Sequence, residues 1–336
     1  MTRIALDGMG GDRAPGAIVD GAVQAARTLP IELILVGQED RLTQELKKFH
    51  PVPSNLKIHH ASEVIGMGES PASSVRKKRD SSICQIVELA KRGEADAVVS
   101  AGNTGAMVCA STLGMRLLEG IERPGIAILI PSLVGPVLMI DVGANIDAKP
   151  EYLFQYGLMG SVFMRHVVGK PNPSVGLLNV GEEEEKGTDF IKQSFKLLEE
   201  SRLNFIGNVE GRDIYTGKAD VIVCDGFVGN VALKVSESMA FALAELLKRE
   251  LKRTFLNRLG AALLLPAFQR LRKQMDYAEY GGAPLLGIDG ASFICHGSSS
   301  AKAIRNAVRA AANFVSHEVN RHIVSTMLDM RPKVVR

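Results

Sequence analysis

The stretch "DVGANIDAKP", Asp141–Pro150, follows the apolar run Val137–Ile140 and leads into a helical pattern from Glu151. Strand, small-residue loop, helix is the repeating unit of an α/β fold. A buried strand ends in small residues when something must approach its backbone closely. The unit recurs along the chain. "DGMGGDRAPG" (Asp7–Gly16), "SAGNTGA" (Ser100–Ala106), "NVGEEEEKGT" (Asn179–Thr188), "DGFVGNVALK" (Asp225–Lys234) and "CHGSSSAKA" (Cys295–Ala303) each stand just after an apolar run.

Strands are predicted at Ile4–Leu6, Ile31–Val36, Leu56–His60, Ala97–Ser100, Ile126–Ile130, Val137–Ile140, Val175–Asn179, Asn204–Gly207, Val221–Cys224 and Phe293–Cys295. Helical patterns such as Ala14–Arg27, Ser82–Arg92 and Thr188–Glu200 lie between them. "VIVCD" and "VLMID" are continuous apolar runs, as in strands buried on both faces. The alternation predicts one α/β unit over residues 1–336, a mostly parallel sheet with helices on both faces. In such a sheet, loops at the carboxyl ends of strands surround the ligand crevice. Helix N-termini present unpaired N–H groups to anions. Six loops carrying Asn, Thr, Ser and Lys therefore predict a phosphate or carboxylate site.

Composition narrows the classes. At 336 residues, 46% of them hydrophobic, the chain can bury a large core. Trp is absent and aromatics are 5%, so no base-stacking platform and no nucleic-acid partner are expected. The net charge of +3 does not by itself call for a polyanion. Cys84, Cys109, Cys224 and Cys295 form no CxxC pair, which fits a reducing cytoplasm and no metal. "MTRIALDG" starts a strand at once, without a signal-peptide pattern. The longest apolar run, Leu259–Phe268, is too short to span a bilayer and contains Pro266.

Several motifs fail on inspection. "GMGGDRAPG" has Arg13 where a dinucleotide fingerprint needs its third glycine, and Asp7 and Asp12 would face the pyrophosphate. "GEEEEKGT" places four glutamates where a phosphate loop tolerates none. In "HEVNRH", His317 and His322 are five residues apart, where a helical metal pair needs four; both are expected at the surface. No nucleophile elbow is present.

From Phe241 to Lys273 eight cations (Lys248, Arg249, Lys252, Arg253, Arg258, Arg270, Arg272, Lys273) face Glu245 and Glu250, a local balance of +6. The segment 238–277 is predicted to be a basic helical hairpin with "LGAALLLPAF" as its apolar tip. It is expected to contact a membrane surface or an acidic protein through Lys252, Arg253, Leu263, Leu264, Leu265, Arg270 and Lys273. A core helix pair with a solvated basic face is the plainer alternative.

Taken together, "LDGMGGDRAPGA", "VRKKRDSS", "SAGNTGA", "DVGANIDAKPEYLFQYGLMG", "VGLLNVGEEEEKG", "DGFVGNVALK", "YGGAPLLG" and "HGSSSAKA" resemble the bacterial phosphate acyltransferase family (PlsX type, acyl-acyl-carrier-protein:phosphate acyltransferase). The match runs in family order from near residue 4 to beyond residue 303. The main departure is the glutamate run Glu182–Glu185, more acidic than the family pattern. The resemblance implies a three-layer α/β/α sandwich like that of isocitrate and isopropylmalate dehydrogenases and phosphotransacetylases. It also implies a homodimer, with no cofactor and no metal. The implied reaction converts acyl-ACP and inorganic phosphate to acyl phosphate and acyl carrier protein. The product would feed the membrane glycerol-3-phosphate acyltransferase in phospholipid synthesis, with the enzyme on the inner face of the cell membrane.

A thioester needs no further activation and phosphate is itself the nucleophile, so such a site needs positioning and oxyanion donors. Lys186 is expected to bear on phosphate or oxyanion charge and Asn230 to donate to the same centre. His296 is expected to protonate the leaving thiolate or bind phosphate. Asn103, Thr104, Gly105, Asn145, Asp147, Lys149, Gly10, Gly11, Gly229 and Ser298 are expected to line the phosphate site, with Asp7 and Asp225 orienting donors. Two other readings stay open: a non-catalytic adaptor that binds acyl carrier protein at a membrane, and a pyridine-nucleotide oxidoreductase.

Overall fold

A computed structural model describes residues 1–275 and 281–330. Residues 276 and 277 of the expected hairpin, and the side chains of Arg272 and Lys273, lie outside the described residues. The strands are β1 (Thr2–Asp7), β2 (Ile31–Gly37), β3 (Leu56–His60), β4 (Ala97–Ser100), β5 (Gly125–Ser132), β6 (Gly135–Ile140), β7 (Ser174–Leu178), β8 (Asn204–Val209), β9 (Val221–Val223), β10 (Ala283–Leu286) and β11 (Ala291–Ile294). They form one 11-stranded sheet in the order β3-β2-β1-β4-β11-β10-β5-β6-β9-β7-β8. The helices are α1 (Gly16–Thr28), α2 (Glu39–Leu46), α3 (Pro71–Lys77), α4 (Ser82–Lys91), α5 (Thr104–Met115), α6 (Pro150–Phe163), α7 (Asp189–Glu199), α8 (Asp213–Thr216), α9 (Gly226–Arg253), α10 (Phe255–Met275), α11 (Ala301–Ser316) and α12 (Val319–Met330).

Strand alternation sorts the helices into two layers. Ile4 and Leu6 of β1 point to one face, joining Val19 and Ala22 of α1, Tyr156 of α6 and Ile304 and Val308 of α11. Ala5 points to the other, joining Ile83 and Ile86 of α4 and Met107 of α5. Each fully buried Ile or Leu contributes about 1.5–3 kcal/mol, offset by the entropy of ordering it. The three layers match the expected sandwich.

The sheet is less parallel than expected. Pairing is antiparallel along β11–β10–β5–β6 and parallel on either side of that run. Strands β1–β4 and β11 therefore run one way, and β6–β9 run the other. The carboxyl-end loops of β1, β4 and β11 leave one edge of the sheet, and those of β6, β7 and β9 leave the opposite edge. By strand direction, the six loops make two sets instead of one ring.

The hairpin also differs from expectation. It starts at Gly226, and its bend is Thr254, in extended conformation between α9 and α10. Leu259–Phe268 is not a tip; it lies within α10, which continues through Pro266. Beyond its first turns α9 is largely exposed, and among the described helices it alone is long and apolar enough to cross a membrane. Apolar side chains along α10 are exposed, Leu263 at 77% and Leu264 and Leu265 at 53% each, while Phe268 is half-buried. His322 is not a free surface ring: it stacks on His166, with ring centroids 3.7 Å apart.

Candidate functional site

At the first edge the polar side chains hold the loops to one another. Asp7 is fully buried and accepts the Ser100 hydroxyl (2.6 Å) and the Met9 N–H (3.0 Å). Asn103 caps α5 by accepting the Ala106 N–H at 3.0 Å. Its Nδ2 donates to the carbonyls of Gly66, Met67 and Glu69 at 3.0–3.2 Å. A Cβ on Gly10 would lie 2.6 Å from Gly102 N, and one on Gly105 would lie 2.5 Å from Pro71. Both glycines admit the close approach of a neighbouring segment of the chain. Thr104, His296 and Ser298 are exposed, and His296 Nδ1 lies 2.8 Å from Ser298 Oγ.

Glu69 completes this edge. The Lys78 ammonium, then the Gly66 N–H and Ser74 hydroxyl, hold its carboxyl at about 2, well below the ordinary carboxylate range.

The second edge is organised by Asp141, which sequence reading left out of the site. It is fully buried, and its Oδ1 accepts N–H groups from Ile126 (3.0 Å), Gly143 (3.0 Å) and Ala144 (2.9 Å). Its Oδ2 accepts the Asn145 N–H at 2.7 Å. Burial pushes its pKa up while these N–H groups pull it back, and the balance is upward. The signal was legible as an aspartate closing an apolar run before small residues, the mark of an Asx turn. Asp225 does the same after β9, accepting the Phe227 and Val228 N–H groups at 2.9 Å each.

Two expected ligands turn inward here. Asn145 Nδ2 donates to the Pro124 carbonyl (2.6 Å) and to Tyr156 Oη (2.8 Å), so it locks its loop to α6. Gly229 is buried against the Asp141 carbonyl, its N–H given to the Asp225 carbonyl at 2.9 Å. Asn230 follows it and is exposed, its Nδ2 donating to the Val142 carbonyl at 3.0 Å. An amide nitrogen carries two hydrogens, so one stays available.

Lys186 is exposed on the loop after β7 and makes no ion pair with any described residue. The glutamate nearest the start of its run is taken elsewhere: Glu182 meets Lys218 at 2.9 Å and Arg212 at 3.3 Å, which hold its pKa down. Asp147 and Lys149 are exposed, and α6 begins after Lys149 without a side-chain cap. Since β9 lies between β6 and β7, the loops bearing Asn230, Lys149 and Lys186 leave adjacent strands of one edge.

The chain is similar to known proteins in sequence and in fold. The family model for "Fatty acid synthesis protein" matches residues 2–322. A phosphate acyltransferase of Heliobacterium modesticaldum is 54% identical over 310 residues, covering 92% of each chain. One of Geotalea daltonii is 49% identical over 330 residues, covering 98% of this chain and 95% of its own. Among solved structures, the EutD phosphotransacetylase of Staphylococcus aureus superposes with TM-score 0.60 at 16% identity, covering 96% and 94% of the two chains. A 4-hydroxythreonine-4-phosphate dehydrogenase of Klebsiella pneumoniae gives 0.56 at 12%, covering 94% and 100%. At those identities the structures report a shared fold only.

A Cβ at position 229 would lie 1.9 Å from the Asp141 carbonyl oxygen. Gly229→Ala should therefore destabilise the protein by at least about 1–3 kcal/mol, read as a lowered melting temperature; an unchanged melt would mean that α9 is not locked to that loop. Glu69, its pKa depressed from an ordinary 4.5, adds stability that is full above pH 4.5 and lost as pH falls towards about 2. The difference in urea midpoint between wild type and Glu69→Gln should narrow across that window; a constant gap would refute the ion pair's role.

Proposed function

The chain belongs to the phosphate acyltransferase family and is an acyltransferase, and we propose that it transfers the acyl group of acyl-acyl-carrier protein to inorganic phosphate, reversibly. The observation that carries the reading is the position of Asn230, where the polar strand-end edge meets an open apolar face of α9. That face runs past Val231, Val235, Met239 and Ala242. From Asn230 to Ala242 the helix rises about 18 Å, enough for a long acyl chain with its carbonyl at the Asn230 end.

A phosphate oxygen attacks the thioester carbonyl, the C–S bond breaks, and the departing thiolate takes up a proton. No acyl-enzyme forms. The cysteines fit this, since burial pushes each thiol up, Cys295 to about 12, leaving no poised thiolate among them. Lys186 and Lys149 neutralise phosphate, and the open N-terminus of α6 adds N–H donors. Asn230 donates to the oxyanion as it develops.

Acyl phosphate is reactive and amphipathic, so its release beside a bilayer suits consumption by a membrane glycerol-3-phosphate acyltransferase in phospholipid synthesis. The enzyme then works in the cytoplasm, peripherally on the membrane's inner face. The exposed Phe255, Leu256, Leu263 and Leu264 offer insertion area. Lys252, Arg253 and Arg258 offer attraction to anionic lipid, about 1 kcal/mol per cation near the surface. A homodimer presents two hairpins and gains avidity.

Mass spectrometry of products from acyl-acyl-carrier protein tests the chemistry. Acyl phosphate should form only with phosphate present, and chelation should not reduce it. Lys186→Ala and Asn230→Ala should each lower turnover by about 10²–10³, or 2.7–4 kcal/mol, with the melting temperature kept. If both retain more than about a third of wild-type turnover, far above that range, neither belongs to the site.

Sedimentation with anionic vesicles tests the location. Binding should be salt-sensitive, and Leu256→Glu or Leu264→Glu should weaken it while sparing turnover of soluble substrate. Full sedimentation of both variants would make the hairpin a protein contact instead.

A further inference from the structure

The loop that presents Lys186 is held from beneath by two amides that no part of the proposed chemistry uses. Asn179, the residue after β7, donates from Nδ2 to the Lys186 carbonyl at 3.0 Å. Its Oδ1 accepts the Val180 N–H at 2.8 Å, and its own N–H is given to the Val209 carbonyl at 2.8 Å. Asn208, almost wholly buried in β8, donates from Nδ2 to the Glu183 carbonyl at 3.0 Å. The same carbonyl accepts the Lys186 N–H at 3.1 Å, closing the turn Glu183–Lys186. The two ends of one short turn are thus fastened to two adjacent strands.

Gly187 completes the clasp. Its φ is +89°, and a Cβ there would lie 2.7 Å from Asn179 Oδ1. Glu182, just before the turn, is fixed to Lys218 and Arg212, which flank α8. An exposed lysine in an unanchored loop would spread its charge over many positions and lose much of the value of orientation.

We propose that Asn179 and Asn208 are positioning residues: they fix the Glu183–Lys186 turn so that the Lys186 ammonium faces the phosphate. The role rests on the reading of Lys186 as the phosphate-facing cation. It predicts that the asparagines act through Lys186 and through nothing else in the reaction.

A double-mutant cycle measures this dependence. The rate constant read is kcat/KM for phosphate, with melting temperature recorded for every variant. Asn179→Ala alone should lower it by about tenfold, chiefly through KM; misplacement by 1 Å can cost as much as 10²-fold. In a Lys186→Ala background the same substitution should change it less than about twofold, because coupled residues do not add. Asn208→Ala should behave alike. A Lys186→Ala variant as active as wild type would overturn both the reading and the clasp. A damaging Lys186→Ala with fully additive or silent asparagine variants would overturn the clasp alone. Freeing the acidic neighbour gives a second, independent measurement. Lys218→Gln with Arg212→Gln should raise the KM for phosphate, and adding Glu182→Gln should restore it; failure of that rescue would exclude Glu182 from the arrangement.

Discussion

The Asp141 carboxylate accepts four backbone N–H groups from within the fold, and the second edge of the sheet hangs from those bonds. A carboxylate buried without partners would cost several kcal/mol, while hydrogen bonds to a charge return about 1.5–3 kcal/mol each. The loop can close around Asp141 only because its N–H groups all turn inward. That closure leaves the Val142 carbonyl for Asn230 and the Asn145 carbonyl for Gly226. The start of α9, and with it the Asn230 amide, is located by one buried charge. Asp7 plays the same part at the first edge, through Ser100 and Met9.

Small residues were legible in the sequence as a sign of close approach, but not what approaches. At Gly10 and Gly229 the visitor is another stretch of the same backbone. A glycine beside a ligand and a glycine beside a neighbouring loop look the same in one dimension. Asn103 and Asn145 carry a related ambiguity: an amide in a glycine-rich loop is equally suited to a ligand or to tying neighbouring segments together. Lys186 differed, because its competing partner could be named in advance. The glutamates beside it were visible, whereas Arg212 and Lys218, which occupy Glu182, are more than twenty residues away.

The strands were legible almost completely, since apolar runs bounded by glycine-rich segments such as Asp7-Gly8 and Asp225-Gly226 need no tertiary information. β10 escaped because its four residues follow two glycines and contain Pro284. The reversal of strand direction comes from the β5–β6 hairpin, whose two strands were legible but whose antiparallel pairing was not. The bend at Thr254 was missed because Pro266 is the stronger breaker in isolation. On a solvated helix the carbonyl it leaves unpaired can be hydrated, so the break comes elsewhere.

α9 has a mechanical consequence. It is a single rod of 28 residues, about 42 Å long, rigid from the Asp141 loop to the basic bend. Its first turn is the pivot, clamped where Gly229 meets the Asp141 backbone. Asn230 follows that clamp by one residue, about 1.5 Å of rise, so it receives only about one part in twenty-four of any swing at the far end. A 5 Å tilt of the bend thus arrives at the amide as less than about 1 Å, the scale on which catalytic geometry is won or lost. The same gearing that shields the amide from large motions of the hairpin makes its orientation a damped gauge of what the hairpin touches.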